Sequence, residues 1–168
     1  MRTAALAMLG AVCALTGQYI AFSLSRRVLL LEKIQLMLSA AQTQLSYLST
    51  PSDKLVEILA DNPQLSGLMF IPECGKRIKS GADFRTAWRE SLSEKNTRFL
   101  KKDDVSLLFS FGDVFGTTDT AGQLSNCSLH AGLVQDKIDT ARRARERYGA
   151  LSGGMGIIAG IGLIIFLI

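Results

Sequence analysis

Two long apolar segments stand at the ends of the chain. Charged residues are absent from 3–24 and from 149–168. At a helical rise of 1.5 Å per residue, about 20 residues are enough to cross the roughly 30 Å hydrocarbon layer of a bilayer. The pattern therefore predicts transmembrane helices at 1–24 and 149–168, with a separate domain at 25–148 between them.

A secretory signal is the alternative interpretation of the first segment. A signal usually has an apolar core of about 7–15 residues that ends at a small-residue cleavage site. Here the apolar run continues to Leu24 and meets Arg26 and Arg27 directly. We therefore favour a membrane anchor at this end of the chain.

Apolar residues at both ends of the middle domain recur at intervals of three and four, which places them on one face of a helix. The first stripe consists of Leu31, Ile34, Leu38, Ala41, Leu45 and Leu48. The last stripe consists of Leu124, Cys127, Ala131, Val134, Ile138, Ala141 and Tyr148, and Arg145 is its one interruption. These stripes predict long helices at 25–49 and 119–148. Because the spans they lead into cross the membrane in opposite directions, we expect the two helices to pack antiparallel.

Shorter amphipathic segments, separated by proline and glycine, fill the middle of the domain. They predict helices near 51–61, 64–80, 83–92 and 103–115. Asp83 suits a helix N-cap, Gly81 suits the end of the preceding helix, and Pro72 is expected to kink or break that helix. No segment alternates as a β-strand does. The predicted fold is all-α, a helical bundle between N- and C-terminal transmembrane helices.

Basic residues are concentrated on the domain side of both predicted spans. These membrane-flanking residues are Arg26, Arg27, Arg142, Arg143, Arg145 and Arg147. The outer flanks carry only Arg2, so the positive-inside rule places the domain in the cytoplasm. Anionic lipid headgroups account for arginines in this position. The bilayer is thus a predicted partner, and a pI of about 9.1 does not imply nucleic-acid binding.

Candidate catalytic and metal-binding residues are few. Cys127 and His130 form a C-x-x-H pair, but structural zinc needs four ligands, and Cys74 is the only other thiol of the middle domain. Asp103 and Asp104 are adjacent on a predicted helix, so their carboxylates diverge instead of facing one cleft. We predict no catalytic residue, metal site, cofactor or small-molecule substrate. A membrane-tethered enzyme whose active site is assembled from dispersed residues remains the alternative.

A second group of basic residues lies on the short helices and is a candidate partner interface. It consists of Lys76, Arg77, Lys79, Arg85, Arg89, Lys101 and Lys102. A basic surface of this kind would steer an acidic partner toward the domain. The alternative is that these side chains only keep the domain soluble.

Four segments together give the chain a resemblance to a known family. They are QLSYLSTP at 44–51, FRTAWRESL at 84–92, FGDVFG at 111–116 and YGALSG at 148–153. Their order and spacing resemble the stage III sporulation protein AB family of endospore-forming bacteria, almost from end to end. The chain departs from the family pattern at Gln44, where an acidic residue is expected, and at Ser52, where leucine is expected.

The resemblance implies a helical domain similar to the cytoplasmic F-domain of type II secretion and type IV pilus platforms. It also implies a non-enzymatic platform or scaffold in the complex that joins mother cell and forespore, located in the mother-cell membrane. The partners it implies are the other membrane subunits of that complex and a cytoplasmic secretion-type ATPase. A platform subunit of another secretion or pilus system is the nearest alternative.

Overall fold

The computed structural model describes the backbone of residues 2–48, 52–115 and 117–167. Within these ranges the chain is helical and contains no strand, which confirms the predicted all-α bundle. The helices are α1 (Arg2–Leu48), α2 (Ser52–Ala60), a short 3₁₀ helix (Pro63–Leu65), α3 (Phe70–Lys79), α4 (Phe84–Ser91), α5 (Lys102–Val114) and α6 (Thr120–Leu167).

The chain forms two compact units. One consists of Met1–Val28 with Asp139–Ile168, and the other of Leu29–Ile138, so α1 and α6 each contribute to both. In the described part of the chain no helix is long and apolar enough to cross a membrane. Most side chains of the predicted spans at 1–24 and 149–168 lie outside the described residues. The two spans therefore stay predictions.

The core of the second unit contains the apolar stripes of α1 and α6. Leu31, Ile34, Leu38, Ala41 and Leu45 of α1 are all buried. On α6, Cys127, Val134 and Ile138 are buried as well. Burying one such aliphatic side chain contributes about 1.5–3 kcal/mol relative to leaving it in water. The α1 stripe is thus confirmed as far as Leu45, and the side chain of Leu48 lies outside the described residues. On α6 the stripe is confirmed from Cys127 to Ala141, with Leu124 and Ala131 only partly buried, but the prediction that it continues to Tyr148 was wrong, because that side chain is exposed.

The segment before α3 differs from the prediction of one kinked helix at 64–80. A 3₁₀ turn, capped by Asn62 Oδ1 accepting from Gln64 N at 3.0 Å, is followed by a break at Gly67, whose φ is 101°. That conformation is in the left-handed region that favours glycine. The helix begins only at Phe70, so Pro72 lies in its first turn, where a backbone N–H has no intrahelical partner to lose. The prediction that Pro72 breaks a helix was wrong for this reason.

The boundaries of the next two helices follow the predicted signals. Gly81 adopts a φ of 96° just after α3, as a C-terminal glycine does. Asp83 caps α4, because its Oδ2 accepts from Thr86 N at 3.1 Å. Hydrogen bonding from the Thr86 side chain, and then from its backbone N–H, lowers the pKa of the Asp83 carboxyl.

An aromatic cluster holds α3, α4 and α5 together around Trp88. Phe70, Phe84 and Phe111 surround its indole with ring centroids 5.5–5.7 Å away, in edge and offset arrangements. The indole Nε1 donates to Leu108 O at 2.8 Å. Gly112 lies directly beneath the ring, where a Cβ would stand 2.1 Å from Trp88 Cδ1. The close approach of α4 and α5 therefore requires glycine at this position.

Candidate functional site

His130 and Cys127 are structural in their surroundings. Burial raises the pKa of the Cys127 thiol to about 11, which keeps it protonated at neutral pH and weak as a nucleophile or metal ligand. His130 is buried, although it is not a member of the predicted apolar stripe of α6. Its Nδ1 donates to Asn126 O at 2.9 Å, and its Nε2 lies 3.0 Å from Ser110 Oγ. The Nδ1 bond lies within α6, whereas the Nε2 contact joins α6 to Ser110 of α5.

The adjacent carboxylates of α5 diverge as predicted. Asp104 is buried, and its Oδ2 accepts from Lys101 N at 2.9 Å, which closes the first turn of the helix. Asp103 points outward and lies 3.7 Å from Lys137 Nζ on α6. Within the described residues, no group of three or more His, Cys, Asp and Glu side chains is arranged to hold a metal ion.

The predicted basic interface divides into paired and exposed members. Arg85 and Arg89 both bind Asp113 of α5, with nitrogen–oxygen distances of 3.2 Å for Arg85 and 2.6 Å for the shorter Arg89 contact. Bonding from Arg89, and then from Arg85, lowers the pKa of Asp113 to about 2. Asp113 therefore stays ionised at physiological pH, and its ion pairs with Arg85 and Arg89 link α4 to α5.

Two further cations of the predicted interface also have partners inside the bundle. Arg77 contacts Glu90 of α4 and lies 3.5 Å from Glu73 of its own helix. Lys79 lies 2.7 Å from Glu57 of α2, and this ion pair raises the pKa of the lysine and lowers that of the glutamate. Exposed pairs such as these contribute little to stability, but each one neutralises its cation within the bundle.

The other three predicted residues, Lys76, Lys101 and Lys102, are exposed and form no ion pair within the described part of the chain. Lys102 borders a surface groove of about 570 Å³ between α5 and the loop at 92–101. The apolar lining of the groove comes from Leu92, Leu100, Val105 and Phe109, and its charged rim from Glu94, Arg98 and Lys102. We call this depression the basic groove.

Sequence reasoning missed Arg98 and the apolar lining of the basic groove. The run Arg98-Phe99-Leu100-Lys101-Lys102 joins apolar and basic residues and was the one signal that pointed to it. The groove itself depends on how the loop packs against α5, which periodicity does not reveal.

The membrane-flanking arginines lie in the unit formed by the two chain ends. Arg142, Arg143, Arg145 and Arg147 of α6 are exposed, as is Arg26 of α1, whereas Arg27 is buried. Two of the exposed guanidinium groups cover aromatic rings: Arg26 lies 5.1 Å from the centroid of Phe22, and Arg147 lies 5.8 Å from that of Tyr148.

Comparison with known proteins gives two matches. The family model described as Stage III sporulation protein AB matches residues 2–168. A solved structure of Stage III sporulation protein AB (SpoIIIAB) aligns with 73% of this chain and 98% of its own, at a TM-score of 0.60 and 20% sequence identity. At that identity the structural likeness shows the fold alone. No curated protein matches the chain.

Proposed function

Since this chain belongs to the stage III sporulation protein AB family, and is therefore a sporulation protein, we propose that it serves as a non-enzymatic platform subunit. In this role it scaffolds the complex between mother cell and forespore. It is anchored by its two predicted spans in the mother-cell membrane that faces the forespore. The helical bundle then presents its surface to the cytoplasm.

The observation that carries this proposal is that the reactive side chains of the bundle are buried in its interior. The imidazole of His130, the Asp104 carboxylate and the Cys127 thiol are buried, and the first two are bonded within the fold. The exposed side chains of Glu94, Arg98 and Lys102, in contrast, border a groove that is suited to contact. This distribution supports binding over turnover.

The distribution of charge supports anchoring in an anionic bilayer. Met1–Val28 and Asp139–Ile168 together contain seven arginines and two carboxylates. Leu29–Ile138 contains twelve basic and thirteen acidic residues, so the net charge of +4 comes from the unit with the predicted spans. Each basic residue near an anionic membrane surface contributes about 1 kcal/mol of attraction. The bundle itself is nearly neutral.

The proposed partners follow from family membership and from the resemblance to secretion platforms. They are the other membrane subunits of the sporulation complex and a cytoplasmic secretion-type ATPase. We propose no nucleic-acid partner and no small-molecule substrate. The competing interpretation is a membrane-tethered enzyme, and it requires that at least one ionisable or nucleophilic side chain of the bundle be indispensable for reasons other than folding.

Removing the reactive side chains from the bundle tests this difference. We expect a Cys74→Ala, Cys127→Ala, His130→Gln variant to restore spore formation in a spore-forming host whose own copy is deleted. Its membrane level is matched to that of the natural protein by adjusting expression, because truncating buried side chains costs stability. The measurement is the titre of heat-resistant spores. A titre lowered by orders of magnitude at equal membrane level would favour the enzyme.

A further inference from the structure

We infer that the basic groove binds an acidic, amphipathic segment of a protein partner. Apolar side chains of that segment occupy the lining of the groove, and its flanking carboxylates meet the basic rim. The inference rests on the proposed function, since a platform subunit acts through such contacts, and it adds the place and the chemistry of one of them.

The loop that forms one wall of the groove is held in place before any partner binds. Thr97 is buried, and its Oγ1 donates to Ser93 O at 2.9 Å. Asn96 Nδ2 donates to Ser91 O at 2.7 Å, and Leu100 N donates to Thr97 O at 2.8 Å. A wall that is already ordered lowers the entropic cost of binding.

The charge of the rim is not neutralised from within the bundle. The rim cations Arg98 and Lys102 are exposed and make no ion pair within the described residues, and the same is true of Lys95 and Lys101, which are close to them in the sequence but do not line the groove. Most of the predicted interface cations behave differently, because Arg77, Lys79, Arg85 and Arg89 each face a carboxylate. Glu94 is the only acidic residue in the groove lining. Exposed cations that form no ion pair within the bundle are complementary to the carboxylates of a partner.

The volume of the groove limits how many partner side chains can occupy it. About 570 Å³ falls within the range of sites that enclose a small ligand or a few side chains. Val105 and Phe109 are one turn apart on α5 and are both partly exposed, so they present a continuous apolar strip. One or two large apolar side chains, on one face of a helical or extended segment, match this strip.

The geometry favours a protein segment over a lipid surface or a nucleic acid. Insertion into a bilayer needs protruding apolar side chains. Met69 and Val114 are exposed, but among the described residues between them in the sequence, which include the whole groove, no large apolar side chain is exposed. Single-stranded nucleic acids need open aromatic faces for stacking. The rings of Phe99 and Phe109 each have a guanidinium group over one face, 5.6 Å and 6.0 Å from the ring centroids, so neither offers two open faces to a stack of bases.

A pair of charge-reversal variants of the full chain, purified in detergent, tests the inference. Arg98→Glu with Lys102→Glu inverts the rim, whereas Lys54→Glu with Lys76→Glu makes the same change in net charge at exposed positions away from the groove. Lys76 belongs to the basic group predicted from the sequence, but the inference places it outside the interface because it does not line the groove. The probe is a fluorescent synthetic helix of about 15 residues, with leucines at i and i+4 and glutamates on their flanks. A second probe replaces its glutamates with glutamine.

We expect the acidic probe to bind the natural protein and the Lys54/Lys76 variant alike. Binding to the Arg98/Lys102 variant should be weaker by about tenfold or more, a loss of about 1.4 kcal/mol or more. Binding of the glutamine probe should be weaker by a similar factor, and added salt should reduce the difference. Equal binding by the two variants, or by the two probes, would overturn the inference.

Two further readouts complete the test. Loss of binding to phosphatidylglycerol vesicles in the Arg98/Lys102 variant, without loss of the acidic probe, would assign the groove to lipid and overturn the inference. In cells, the Arg98/Lys102 variant should lower the spore titre at normal membrane level, and the Lys54/Lys76 variant should not. Normal sporulation of both variants would overturn the inference alone, because the proposed function is tested separately by the Cys74/Cys127/His130 variant.

Discussion

Replacing Val134 with aspartate is expected to unfold the helical bundle. Val134 is only 1% exposed, and it lies on the apolar face of α6. An unpaired carboxylate in such surroundings costs several kcal/mol, which is of the same order as the roughly 5–15 kcal/mol that stabilises a whole domain. Leu38→Asp on α1 should have the same effect, since Leu38 is equally buried. Thermal unfolding of the detergent-solubilised protein, followed by Trp88 fluorescence, measures the loss.

Gln135→Asp is the matched control for this experiment. Gln135 is the next residue of α6 and is exposed, so the added charge stays in water. Its unfolding temperature should remain close to that of the natural protein. If Val134→Asp and Gln135→Asp were tolerated equally, the buried face of α6 would be assigned wrongly.

The second large effect is expected at Gly112. Gly112→Ala introduces a Cβ 2.1 Å from Trp88 Cδ1 and 2.5 Å from Trp88 Nε1, so the indole must move. That movement disturbs the Trp88 hydrogen bond to Leu108 O and the aromatic cluster around it. Overpacking of this kind typically costs about 1–3 kcal/mol. The unfolding temperature and the near-ultraviolet signal of Trp88 should both change.

Gly132→Ala makes the same substitution in a helix without the collision. Gly132 lies on the exposed side of α6, and a Cβ there meets no atom within 4 Å. Alanine is favoured over glycine in a helix by about 0.8–1.0 kcal/mol, so this variant should be slightly more stable than the natural protein. Destabilisation of equal size at Gly112 and Gly132 would mean that helix propensity, and not the contact with Trp88, explains the result.

Periodicity predicted the parts of the fold that local sequence controls. The apolar stripe of α1, the stripe of α6 between Cys127 and Ala141, and the cap at Asp83 follow from spacing and side-chain chemistry, and the structure confirms them. The start of α3 was missed because Pro72 is equally compatible with a broken helix and with a first turn. Only the turn at Gly67, which separates the 3₁₀ helix from α3, decides between these arrangements.

Contacts between distant parts of the chain were beyond sequence reasoning. His130 lies beside the predicted stripe, and its burial depends on Ser110 and Phe111, which belong to a different helix. The pairing of Arg89 with Asp113 joins residues 24 positions apart. No local rule predicts that such cations have partners, so the candidate interface contained both paired and exposed members. The structure shows that four of the seven candidate interface residues have ion-pair partners, and it adds Arg98 as a residue that borders the groove.

The proposed partners and the proposed role of the basic groove require that the bundle is anchored at both ends and faces the cytoplasm. Paired reporter fusions test it directly. A reporter that is active only in the cytoplasm is fused after Tyr148, ahead of the second predicted span, and one that is active only outside is fused after Ile168. We expect both fusions to be active, and we expect neither to be active when the two reporters are exchanged. Activity of the cytoplasmic reporter after Ile168, or of the outside reporter after Tyr148, would contradict it.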